Sequence, residues 1–204
     1  MVPAVVFGIG IGDVVAGLLR AVLGSVAIVV AAVVALVILA FGAATWGSVI
    51  SRITSAGDEG RMARAGAVGV APVVVVVTLA LTFFEGLFVQ ERQLPEVPIH
   101  NIYTLLFTPA LAIVTGAGGL ALSLGARQRA TAVSLGAQCA LGGGIAFLAV
   151  DLALDSLGMR VGATGAEERI TMLTTTLLGS LGAALISGGI IGMGLTRGRA
   201  ITPR

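Results

Sequence analysis

Residues 21–50 read AVLGSVAIVVAAVVALVILAFGAATWGSVI, thirty positions without a charge. That exceeds the roughly 20 residues an α-helix needs to cross about 30 Å of hydrocarbon. Four further charge-free runs follow at Ala65–Phe84, Ile102–Ala126, Ala130–Val150 and Ile170–Thr196. In lipid every backbone amide and carbonyl must find its partner inside the segment, which leaves the helix as the available form. The run Val73 to Val77 would suggest a strand in water; here segment length decides for helix.

The pattern predicts an all-α integral membrane protein. It is a bundle of five transmembrane helices near 23–48, 66–90, 102–125, 131–152 and 171–196. Residues 21–204 form one bundle, and residues 1–20 form a separate N-terminal segment. Val2 to Gly12 is apolar and Gly-rich, and Asp13 and Arg20 follow. A helix lying on the outer interface fits this stretch, with a re-entrant hairpin or short sixth span as its rival. No basic residue precedes Arg20, so no cleavable signal peptide is expected.

Composition agrees. The chain of 204 residues is 57% hydrophobic and 11% charged, with a mean hydropathy of +1.07. A soluble domain keeps about a quarter of its residues charged, so this chain cannot cover a water-facing surface. All 12 basic residues are Arg. The absence of Lys excludes Schiff-base chemistry and points to a GC-rich genome. Net charge is only +2, and no basic cluster interleaves with aromatics, so no nucleic-acid partner is expected.

Cys139 and His100 are the single members of their types. An internal disulfide, bis-histidine haem ligation and a Cys/His zinc site are thereby excluded or disfavoured. No metal and no cofactor is expected. Gly8, Gly10 and Gly12 have the spacing of part of a dinucleotide fingerprint, but no strand or βαβ unit precedes them. No P-loop, nucleophile elbow or HExxH occurs, and no catalytic residue is assigned; the chain reads as a non-enzyme.

The loops orient the bundle. With five spans, Arg52, Arg61, Arg64, Arg127, Arg129, Arg197, Arg199 and Arg204 share one side. Arg20, Arg92, Arg160 and Arg169 fall on the other. The positive-inside rule puts the C-terminus in the cytoplasm and the N-terminus outside, in the cytoplasmic (inner) membrane of a prokaryote. Trp46 and Tyr103 sit where interfacial aromatics are favoured.

Small residues recur every four positions, and so on one helix face. They are Ala132, Gly136, Ala140 and Gly144 in the fourth span, and Thr175, Gly179, Ala183 and Ser187 in the fifth. Gly188 and Gly192 add a GxxxG, and the third span carries Ala117, Ala121 and Gly125. These stripes predict a tight cluster of the third, fourth and fifth helices, with homodimerisation as a second use. The first two helices, rich in Val, Leu and Phe, are expected as bulky walls facing lipid or a partner.

Few residues can carry chemistry. Glu85, Asp151 and Asp155 fall near outer helix ends. They would form a cation- or proton-binding vestibule if the second and fourth helices were neighbours; otherwise they are hydrated at headgroup level. Gln138, with Ser134 and Cys139, either lines a path or bonds between helices. His100, after Pro95 and Pro98, is a pH sensor or part of a turn. Thr171, Thr174, Thr175 and Thr176 line a pore mouth or satisfy backbone groups.

The function expected is that of a non-enzymatic, multi-pass accessory or structural subunit. It acts through helix–helix contacts on another membrane protein, on copies of itself (a homo-oligomer) or on the lipid bilayer. The alternative is a small cation- or proton-coupled transporter or channel. An intramembrane enzyme lacks paired catalytic groups at membrane depth.

Overall fold

The computed structural model describes residues 25–85, 99–158 and 166–200. They form α1 (Ser25–Thr54), α2 (Glu59–Glu85), α3 (Ile99–Gly125), α4 (Arg129–Ser156) and α5 (Ala166–Ala200). Five helices contain stretches long and apolar enough to cross a membrane. The predicted N-terminal segment, residues 1–20, lies outside the described residues.

Several helix ends lie beyond the hydropathy boundaries: α1 runs on to Thr54, α3 begins at Ile99, and α4 and α5 extend at both ends. α2 starts at Glu59, not near 66, because Asp58 caps it: the Arg61 N–H donates to Asp58 Oδ1 at 2.9 Å. That is the bond an N-cap side chain makes to the third helical residue. Helical backbone keeps bonding itself past the hydrocarbon, so charged first turns belong to the helix although hydropathy leaves them out. α2 also runs through Pro72, and α3 through Pro109.

Two tight turns close the arginine-rich end. Between α1 and α2, Ser55 takes φ 48° and Gly57 φ 139°. The Ser51 hydroxyl holds the Gly57 carbonyl at 3.0 Å, and an exposed ion pair joins Arg52 to Glu59 at 2.6 Å. Between α3 and α4, Arg127 takes φ 62°. The Gln128 N–H then reaches Ser123 O at 2.9 Å and the Arg127 N–H reaches Leu124 O at 3.0 Å. This is a Schellman stop, which satisfies the carbonyls a helix end leaves open. The Gln128 side chain crosses to α5, its Nε2 donating to Leu195 O at 2.9 Å.

Neighbouring helices pack in chain order, and α3 is the hub. It touches α2 on one side and α4 and α5 on the other. The expected small-residue stripe of α4 does meet α3. Gly136 lies against the Gly116 carbonyl and Leu120, Ala140 against Gly116, and Gly144 against Ala112.

The first two helices correct the expectation of plain walls. A Cβ on Gly47 would fall on the Met62 carbonyl, and one on Gly66 on the Ala43 carbonyl. The α1 and α2 backbones therefore touch directly. The stripe expected to tie α3 to its later neighbours turns the other way: Ala121 seats in the Gly69 notch of α2, and Gly125 faces Ala65 and Met62. One glycine per face is enough for close approach, and isolated glycines inside bulky Val-rich runs do not show as stripes.

The core is unequal along the bundle. At the arginine-rich end Ile50, Met62, Leu122, Leu135, Ile191 and Leu195 join all five helices, with Trp46 packed on them. Trp46 thus packs against the core while keeping part of its surface exposed. Away from that end the core splits. Leu39, Ala43, Val70, Val74 and Val114 hold α1, α2 and α3; Leu111, Phe147 and Ala183 hold α3, α4 and α5.

Gly66→Ala should lower stability by about 1–3 kcal/mol, because the new methyl has only a backbone carbonyl to displace. Gly188, where an added Cβ meets nothing within 4 Å, should accept alanine within about 0.5 kcal/mol. Denaturant titration of the two variants in mixed micelles measures the contrast. Equal losses would mean that the α1–α2 contact is not close.

Candidate functional site

Asp151 is the buried acid among the described residues, at 3% exposure. It lies on the α4 face that meets α3, five residues before α4 ends at Ser156. The 28 residues of α4 run about 42 Å at 1.5 Å per residue. About 30 Å of that is hydrocarbon, so Asp151 falls near one boundary of the apolar layer. The Thr104 hydroxyl on α3 donates to Asp151 Oδ2 at 2.7 Å. A carboxylate at such a depth is costly unless bonded.

An aromatic plug lies below it. Tyr103 stacks on Phe107 at 5.9 Å, and Phe107 on Phe147 at 6.2 Å. Phe147 fills the notch left by Gly179 on α5. One turn further along both helices, Thr175 of α5 comes level with Asp151. The Thr175 hydroxyl oxygen is buried and has no hydrogen-bond partner. A buried carboxylate bonded by one hydroxyl, with a second buried hydroxyl at the same level of the next helix, has the groups to hold a proton or a water molecule.

Of the other acids near this end, one is described and it points away from the site. Asp155 is exposed. Glu85 is the last residue of α2, and its side chain lies outside the described residues. Among the described residues α3 stands between α2 and α4, which do not pack as neighbours in the way a shared vestibule required.

Nor does Gln138 line an interior path. It is exposed on α4, and its amide donates to Ser134 Oγ at a long 3.4 Å. Deeper polar groups bond the backbone. Thr115 Oγ1 donates to Leu111 O at 2.7 Å and lies 2.9 Å from Cys139 O. The Cys139 thiol faces Ser187 O at 3.8 Å. Between these groups and Asp151 stand Leu111, Phe107 and Phe147.

A shallow apolar groove opens between α2, α3 and α5. Val74, Val77, Leu81, Phe107 and Leu111 line it, with hydroxyls from Thr78 and Ser180. Its lining suits hydrocarbon. Among the described residues no three His, Cys, Asp or Glu side chains gather to hold a metal ion. His100 lies in the first turn of α3, and its side chain lies outside the described residues.

The remaining small residues divide. Ala132 and Ala183 are buried in helix contacts, and Gly179 seats Phe147. Gly188 and Gly192 face open space. Thr104 has no sequence signal as the partner of Asp151, because 47 residues separate them.

Comparison with known families, with curated proteins and with solved structures gives no significant match for this chain.

Asp151→Leu should cost about 0.6–1.7 kcal/mol, the usual range for a hydrogen bond between membrane helices. Asp151→Asn should cost less, since its amide oxygen accepts the same Thr104 bond. Asp155→Asn should stay within about 0.5 kcal/mol. The same denaturant titration ranks them, and equal losses at both acids would contradict the assignment.

Proposed function

We propose that this chain is a non-enzymatic, multi-pass accessory or structural subunit of a prokaryotic cytoplasmic membrane, working through helix–helix contacts. One observation carries the reading. The means of helix contact that its own bundle does not use point outward: the Gln138 amide on α4 and the open glycines 188 and 192 on α5. Both are what membrane helices use to bind each other. Among the described residues the buried acid sits above an aromatic plug, which supports a packed body rather than a conduit.

The arginines give the orientation. Arg52, Arg61, Arg64, Arg127, Arg129 and Arg197 all belong to the end where α1, α3 and α5 finish. The positive-inside rule assigns that end to the cytoplasm, the C-terminus with it and the N-terminus outside.

Asp151 favours a second reading, a small proton- or cation-coupled carrier. In that case Asp151→Asn abolishes flux in liposomes while the protein stays folded.

Native mass of the purified protein in a mild detergent separates the two. A stoichiometric complex, with a foreign membrane protein or with itself, is the expected result. A lone monomer that moves a solute through liposomes would overturn the first reading. For orientation, a C-terminal green fluorescent protein should fluoresce and a C-terminal alkaline phosphatase should be inactive; the reverse pair would invert the assignment.

A further inference from the structure

The outward face of α4 carries an unbroken heptad seam. Ser134, Gln138, Leu141, Ile145, Leu148 and Leu152 follow one another at spacings of four and three. All six are exposed. Leu141 and Ile145 are 67% and 64% exposed, so no described helix of the same chain covers the middle of the seam. The opposite face of α4, with Leu135, Cys139 and Phe147, is the one that packs inward.

Chemistry sets the need for a partner. Gln138 lies nine residues inside α4 from Arg129, about 13 Å along the axis at 1.5 Å per residue. That depth is within hydrocarbon, where an amide without good hydrogen bonds is costly. Its 3.4 Å contact with Ser134 is longer than a good bond and uses one N–H of a group with two donors and an acceptor.

The seam also specifies what kind of partner. Reading Gln138 as an a position makes Ile145 a, and Leu141 and Leu148 d. Branched Ile at a with Leu at d favours two parallel strands, and a single polar a residue fixes register. Copies inserted the same way present parallel α4 helices, and a twofold axis along the membrane normal brings each residue to its own counterpart. An amide is both donor and acceptor, so Gln138 is complementary to itself. Asp155 continues the spacing, but it stands at the end of the helix, in reach of water.

We propose that two copies of this chain pair through the outward faces of their α4 helices, with Gln138 hydrogen-bonded to its counterpart across the twofold axis. The pairing rests on the reading of the protein as one that acts through helix contacts, and it names the partner.

The test uses the full chain in liposomes. Energy transfer between labelled copies, followed as lipid dilutes protein, measures dimerisation of the unaltered sequence. Gln138→Leu should weaken it roughly 3- to 10-fold, the scale of one interhelical hydrogen bond in lipid; Gln138→Asn should retain most of it. On a Cys139→Ala background, Ile145→Cys should form an intermolecular disulfide at least tenfold faster than Leu185→Cys on α5.

A monomer at every dilution overturns the pairing, as does a dimer whose disulfides favour Leu185→Cys. Undiminished transfer in Gln138→Leu overturns the amide's part in it. A chain that does not self-associate but holds a foreign protein on α4 overturns the pairing and leaves the accessory reading standing. A lone monomer that carries solute overturns both.

Discussion

Hydrocarbon gives an apolar helix no reason to leave it, since leucine packs as well against a lipid tail as against another leucine. What holds helices together in that solvent is close van der Waals contact and hydrogen bonding. In this chain the nearest approach is made by two glycines. Gly47 and Gly66 let the α1 and α2 backbones touch at the Met62 and Ala43 carbonyls. The rest follows the same rule. Gly69 seats Ala121, Gly136 seats the α3 backbone, and Gly179 seats the Phe147 ring. Each notch is matched by a particular group, so the glycines set register as well as distance.

That rule produces a body closed at one end. At the arginine-rich end both described turns, the cluster that joins all five helices and the Gln128 bond to Leu195 coincide. Toward the other end the core divides into two packing units that share α3. The buried acid Asp151 lies in one of these units, above stacked aromatics. The division leaves an apolar groove between α2, α3 and α5, while the open glycines of α5 lie toward the closed end, beside Ile191.

The spans were legible because charge-free length is a strong signal in a chain with so few charges. Their ends were not, because the Asp58 cap and the charged first turn of α2 belong to a helix that hydropathy cannot see. Small-residue stripes read correctly for α4 on α3 and misled for Ala121 and Gly125, which turn toward α2. A stripe states that a face is close-packed and does not state against what. Gln138 is the converse. Polar character marked it as unusual, but only its exposure tells inward from outward. The Asp151–Thr104 bond was beyond reach, since it depends on which helices are neighbours.

The helices converge at the arginine-rich end and part toward the other. Spin-label distances in liposomes test it directly, on a chain freed of its native thiol by Cys139→Ala. One pair joins Ile53→Cys on α1 to Thr196→Cys on α5, near the closed end. The other joins Val34→Cys to Leu177→Cys, toward the open end; all four positions are exposed enough to carry a label. A clearly shorter distance for the first pair is the predicted result. Equal distances, or a shorter one for the second pair, would contradict the arrangement.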